Sequence, residues 1–211
     1  MRSSHVIRLE SPVKLARMSL SLACVLALFL ASAAGVQGET KPAADEKTPE
    51  AVAARAMVAL KENRIADFAR EMHPDALKQL KSTLLAVLDA AEKKERVDEV
   101  VSLFKGAESA ADIRKLDDVA FLAAFFEGGM ERQPRIRNAV RDMTFDVIGH
   151  VSEGADVIHV VYRGTVTQGG IKISKMSVMS LKPHGDDWGM LLSGDIESMA
   201  TILKLQFGVE D

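Results

Sequence analysis

The chain has 211 residues, of which 47% are hydrophobic, and its formal net charge is −3 at pH 7. This length suits one domain with a substantial core, and an acidic balance without a basic stripe argues against nucleic acid as a partner. The single cysteine, Cys24, excludes an intrachain disulfide and cysteine-rich metal sites.

The first 38 residues have the features of a secretory signal peptide. A basic segment precedes Met18, and an apolar run of about 15 residues follows, ending in the small residues Ala31 and Ala33. We therefore expect export to the periplasm or beyond, cleavage near residue 38 and no membrane association afterwards. The chain after residue 38 has no cysteine and carries 23 Lys and Arg against 29 Asp and Glu. We expect a disordered leader over 39–47 and a single domain over 48–207.

The first half of this domain has helical periodicity. Thr48 and Pro49 form a typical helix start, and Pro74 suits the first turn of another helix. We predict helices over about 49–62, 74–93, 97–105 and 118–127, with a short turn at 65–72 and a helix end at Gly128-Gly129.

The second half alternates with a period of two from Met143 onward. Strands are predicted at 143–151, 156–166, 171–182 and 187–192, joined by short turns, and an amphipathic helix at 193–207 follows. The predicted fold class is α+β, with N-terminal helices packed on a curved four-stranded antiparallel sheet and a C-terminal helix.

Several stretches in this order carry a family resemblance: "MHPDAL" between helices, "VIHVVYRG" in a strand and "SLKPHGDDWGMLL" at the end of the sheet. Over roughly residues 48–192 the chain resembles the nuclear transport factor two-like superfamily, a cystatin-like α+β cone, and its exported bacterial members of unassigned activity. The helices between 95 and 130 and the C-terminal helix depart from the minimal pattern. That superfamily includes enzymes, ligand binders and assembly modules, so the resemblance does not decide the function.

Turn positions predict which residues face each other in the sheet. A two-residue turn at Glu153-Gly154 places Phe145 opposite Tyr162 and Val147 opposite Val160. The later turns place Tyr162 with Ser177, Val160 with Met179, and Leu181 with Trp188. The inner, concave face should therefore hold Met143, Phe145, Val147, Val151, Ile158, Val160, Tyr162, Ile173, Ser177, Met179, Leu181, Trp188, Met190 and Leu192.

The opposite, outer face is only half polar. It should hold Asp146, Ile148, His150, Val157, His159, Val161, Arg163, Ser174, Met176 and Val178. Because large exposed apolar patches mark interfaces, we expect a homodimer through Ile148, His159, Val161, Arg163, Met176 and Val178. The alternative is a monomer whose exposed valines reflect strand propensity.

The predicted inner face offers little for catalysis. It holds Tyr162 and Ser177 but no Asp, Glu or His, and a tyrosine with an ordinary pKa near 10 is a poor base. We therefore expect a ligand pocket formed by Tyr162, Ser177, Trp188, Phe125 and His73, for a small apolar molecule.

No cofactor motif is present, and we expect neither a cofactor nor a metal. His150, His159 and Asp146 on the outer face make a weak zinc set, against which an ion-paired interface is favoured. Arg135 and its basic neighbours are interpreted as a solvated lead-in to the first strand.

The function favoured by these observations is an exported, non-catalytic domain that binds a small apolar molecule or a protein partner. One alternative is a hydrolase or isomerase using Tyr162, His73 and a carboxylate from a helix or from the terminal segment. Another is a structural assembly module of the cell envelope, which would be favoured if Phe121, Phe125 and Trp188 fill the cone.

Overall fold

The computed structural model describes residues 47–168 and 170–209. This part of the chain is an α+β structure, in which helices pack against a four-stranded antiparallel sheet whose strands lie side by side in chain order, and a C-terminal helix follows. The predicted fold class is therefore confirmed. The predicted signal peptide (1–38) and residues 39–46 of the predicted leader lie outside the described residues.

The described residues form eight helices and four strands in the following order. They are α1 (Pro49–Lys61), α2 (Ile65–Arg70), α3 (Pro74–Lys93), α4 (Val97–Val101), α5 (Ala110–Lys115), α6 (Asp118–Arg132), α7 (Pro134–Asp142), β1 (Thr144–Glu153), β2 (Val157–Gln168), β3 (Ile171–His184), β4 (Asp187–Met190) and α8 (Gly194–Phe207).

The two predicted helices with a proline at their first position begin where the sequence indicates. Thr48 Oγ1 accepts a hydrogen bond from the backbone N–H of Ala51 at 3.2 Å, so α1 has a side-chain cap. His73 Nδ1 accepts from the backbone N–H of Asp75 at 3.2 Å and caps α3 in the same way. The leucines of α3 at helical spacing, from Leu77 to Leu88, line the side of the helix that faces the core.

Three helix boundaries differ from the prediction. Residues 65–70 form α2 instead of a turn, and α4 stops at Val101. Helix α6 continues through Gly128 to Arg132, because Gly128 serves close packing: a Cβ there would lie 2.1 Å from the carbonyl oxygen of Leu103.

The basic stretch before the sheet is also a helix. Arg135, Arg137 and Arg141 lie exposed on α7, instead of in an irregular lead-in. Arg141 Nε donates to Asp142 Oδ1 at 2.9 Å.

A β-bulge changes the predicted pairing of β1 with β2. Val147 lies opposite Tyr162, the register shifts between Val147 and Gly149, and His150 then lies opposite Val160. The predicted pairs of Phe145 with Tyr162 and Val147 with Val160 are therefore wrong by two residues, because the longer turn shifts the register by three and the bulge moves it back by one.

The bulge also reverses the faces of the second half of β1. Val151 is 61% exposed on the outer face, and His150 points to the helical side. Each of these two residues thus lies on the face opposite to the one predicted. Phe145 and Val147, which precede the bulge, pack against the core as predicted.

The other two pairings keep the predicted faces. Tyr162 lies opposite Ser177 and Val160 opposite Met179, as predicted. In β3 and β4, Leu181 lies opposite Met190 instead of Trp188, a shift of two residues that leaves each side chain on its predicted face.

The free edge of β4 is closed by the chain between α2 and α3. The backbone N–H of His73 donates to the Met190 carbonyl at 2.8 Å, and that of Met190 donates to the Glu71 carbonyl at 2.8 Å. Arg55 of α1 bonds the carboxylates of Glu71 at 3.1 Å and Asp187 at 3.2 Å. The edge is thus held by backbone and ionic contacts and is not open to another strand.

The core lies between the inner face of the sheet and the helices. Phe121, Leu181, Met190 and Phe207 are among its largest fully buried side chains. Lys94 Nζ donates to the carbonyl of Phe207 at 2.6 Å and fixes the end of α8 beside the end of α3. No helix in the described ranges combines the length and the hydropathy needed to cross a membrane.

Candidate functional site

The predicted pocket centres on Tyr162, which the structure places in the core. Its side chain is 7% exposed, it is hydrogen-bonded to Ser177, and its ring centroid lies 6.1 Å from that of Phe145. Burial raises the pKa of Tyr162 above its usual value; the Ser177 hydroxyl opposes this effect, and the nearby Asp195 carboxylate adds to it. Tyr162 is therefore a neutral phenol at physiological pH, able to donate a hydrogen bond but not to act as a base.

The other predicted pocket residues do not surround one space with Tyr162. Phe125 is 5% exposed and packs on Phe104, with ring centroids 5.4 Å apart. Trp188 lies partly buried against the core, and His73 stands at the start of α3 with its ring 5.5 Å from that of His184. The structure joins Tyr162 to Ser177 and leaves the other three in separate surroundings.

His73 lines a cleft of about 290 Å³ at the junction of α3, β3 and α8. Its polar lining comes from Asp75, Gln79, Ser180, Lys182 and Glu197, residues that the sequence analysis did not select. The sequence feature that could have indicated this cleft is the turn at His73, because polar residues follow it at helical spacing. The lining combines one amine with two carboxylates and has no phenylalanine or tyrosine, so it does not suit an apolar ligand.

The outer face of the sheet gathers all the predicted interface residues. Four large hydrophobic residues on this face are strongly exposed: Ile148 at 49%, Val151 at 61%, Met176 at 46% and Val178 at 54%. They make up four of the eight exposed large hydrophobics in the described part of the chain. Such a cluster on one sheet face is typical of an interaction surface.

Three rows of side chains cross this outer face. The apolar row contains Val161 and Val178, with Ile148 of the bulge at its β1 end, and the charged row contains Asp146, Arg163 and Met176. The histidine row contains Val151, His159 and Ser180. The apolar row thus lies between two rows that carry polar groups.

Hydrogen bonds hold the histidine row in place. His159 Nδ1 lies 2.9 Å from Ser180 Oγ, and its Nε2 lies 2.6 Å from Glu153 Oε2. The Glu153 side chain is 73% exposed, so its carboxylate remains accessible to a partner.

The bulge separates the residues of the weak zinc set. His150 contacts Glu50 at the start of α1, on the helical side, whereas His159 and Asp146 lie on the outer face. Within the described ranges, no three His, Cys, Asp or Glu residues are grouped in a way that could hold a metal. The prediction that the inner side lacks acid–base groups is wrong, since this side carries the His150–Glu50 pair.

No protein-family model, curated protein or solved structure matches this chain. The resemblance to the nuclear transport factor two-like superfamily therefore stays a prediction.

Proposed function

We propose that this protein is an exported, non-catalytic domain that binds a protein partner through the outer face of its sheet, and that this partner is a second copy of the same chain. The observation that carries the proposal is the exposure of Ile148, Val151, Met176 and Val178 on one continuous sheet face. Burying these side chains against a partner would remove apolar surface from water, which favours association.

A protein partner is favoured over a small apolar molecule by the filling of the core. Phe121, Phe125 and Tyr162 are 1%, 5% and 7% exposed and pack against other side chains of the domain. A small ligand at Tyr162 would have to displace well-packed groups, which is costly in a protein interior. This packing also supports a role as an assembly module of the cell envelope, reached through the predicted signal peptide.

An enzyme is the second candidate, and the His150–Glu50 contact is the observation that favours it. A carboxylate that orients a histidine is a common element of acid–base catalysis. Activity on a panel of ester and glycoside substrates that is lost in His150→Gln but kept in Val178→Asp would support this candidate and count against our proposal.

Sedimentation analysis of residues 39–211 over a wide concentration range tests the proposed face. Val178→Asp places a charge in the apolar row and should weaken self-association at least tenfold. The matched control is Val58→Asp, because Val58 is a valine of similar exposure, 45% against 54%, that lies on α1. Equal effects of the two substitutions, or a wild-type chain that stays monomeric throughout, would contradict the proposal.

A further inference from the structure

We infer that the two copies pack outer face to outer face about a two-fold axis that crosses the strands at the apolar row, so that Arg163 of each copy meets Glu153 of the other. This inference rests on the proposed self-association. It adds the orientation of the two copies and the residues that determine it.

Symmetry leaves two simple arrangements for such a dimer. The two-fold axis must lie between the two sheets, and it runs either across the strands or along β2. An axis along β2 would place Arg163 against Arg163 and His159 against His159, because both residues lie on β2 itself. Like charges facing each other across an interface are strongly unfavourable, so this arrangement is disfavoured.

An axis across the strands removes that repulsion. It passes through the apolar row, so the row of one copy, with Val161 and Val178, meets the same row of the second copy. Residues on either side of the row exchange places, and Arg163 then faces the histidine row of the second copy. Apolar surface thus meets apolar surface along the central row, and the polar groups of the other two rows lie at its margins.

The histidine row presents a carboxylate where Arg163 arrives. Glu153 Oε2 lies 2.6 Å from His159 Nε2, and the Glu153 side chain is 73% exposed. The long Arg163 side chain can reach this carboxylate in the second copy, and symmetry makes the pair twice. Arg163 also lies opposite Asp146 of its own chain, so it belongs to the charged row of the outer face.

The size of the face sets the expected strength of association. Three strands about 4.8 Å apart and about ten residues long form a face of roughly 14 by 33 Å. Two such faces bury a flat area of about 900 Å² when they pack together. This lies at the low end for specific complexes, so the dimer should be reversible and concentration-dependent.

Charge reversal in two separate variants tests the orientation. Arg163→Glu should face Glu153 of its second copy, and Glu153→Arg should face Arg163, so each variant alone should associate at least tenfold more weakly than the wild-type chain. An equimolar mixture should regain dimers, because both pairs in the heterodimer have opposite charges: the introduced glutamate of one chain faces the introduced arginine of the other, and the unchanged Arg163 faces the unchanged Glu153. Native mass spectrometry distinguishes these heterodimers by mass.

Three results would overturn the inference. One is a double variant, Arg163→Glu with Glu153→Arg, that fails to recover dimers although circular dichroism shows it folded. Another is recovery when Glu153→Arg is combined with Lys182→Glu, since these residues meet only if the axis runs along β2. The third is unchanged association in Arg163→Gln and Glu153→Gln while Val178→Asp remains monomeric. In the last two cases the outer face would still be the dimer interface, so the proposed function would stand without this orientation.

Discussion

Tyr162 lies directly opposite Ser177 across β2 and β3, and the two side chains are hydrogen-bonded on the inner side of the sheet. This pair occupies the place where a ligand-binding cone would open. Instead of lining a space, Tyr162 is 7% exposed and forms part of the core. The position therefore contributes to stability and is not available to a substrate.

The ionisation of Tyr162 can be followed directly, because it is the only tyrosine in the chain. Burial raises its pKa in the folded protein above the value in the unfolded chain. The stability contributed by the neutral phenol is therefore fully present below about pH 10 and is lost as the pH rises through the raised pKa. Alkaline titration by ultraviolet absorbance should give a midpoint above about 10, and Ser177→Ala should move it further up. A midpoint at or below the ordinary value would show that Tyr162 is open to solvent.

The bulge in β1 predicts opposite sensitivities for two valines four residues apart. Val147 packs against the core, so Val147→Ser should lower the free energy of unfolding by about 1–2 kcal/mol. Val151 is 61% exposed beyond the bulge, and Val151→Ser should change it by less than about 0.5 kcal/mol. Urea unfolding measures both values. Similar losses in the two variants would mean that β1 continues without a bulge.

Substitution by alanine should have different effects on stability at two helical glycines. A Cβ on Gly128 would lie 2.1 Å from the Leu103 carbonyl oxygen, so Gly128→Ala should destabilise the protein by about 1–3 kcal/mol or more. Gly194 is the first residue of α8, and a Cβ there would meet nothing within 4 Å, so Gly194→Ala should be neutral or stabilising by up to about 1 kcal/mol. Thermal unfolding of both variants provides the comparison. A stabilising Gly128→Ala would refute the close approach of α6 to the segment after α4.

Arg55 links α1 to both segments at the closed sheet edge. Arg55→Met would leave the carboxylates of Glu71 and Asp187 without this partner, at side-chain exposures of 22% and 39%. We expect a loss of about 1–2 kcal/mol, because partial exposure lets water replace some of the lost hydrogen bonds. Arg64→Met is the control, since Arg64 pairs with Asp67 at the surface and its loss should cost clearly less than the loss of Arg55. Equal losses in chemical denaturation would argue that the edge does not depend on Arg55.

The helical boundaries could be predicted where local chemistry determines them. Pro74 fixes the start of α3, and the leucine periodicity carries it to Lys93, as the structure shows. Gly128 misled the prediction, because a glycine required by close packing has the same sequence signature as one that ends a helix.

The sheet, like the helices, could be predicted from the sequence only in part. Tyr162 and Ser177 could be paired from the Gly169-Gly170 turn, whereas the only sequence signal for the bulge beyond Val147 was Gly149, a lone glycine inside the strand. That one extra residue turned His150 inward and separated it from His159. The predicted pocket could not be judged from sequence, because whether Phe125 lines a space or fills it depends on the packing of the helices around it.

Native mass spectrometry of residues 39–211, purified gently, is the decisive test of the outer face as an interface. We expect a dimer mass with no bound small molecule, and a monomer mass for Val178→Asp under the same conditions. A monomer of the wild-type chain that retains a small apolar molecule, released on denaturation, would refute the interface, because the domain would then act through an open interior and not through the outer face of its sheet.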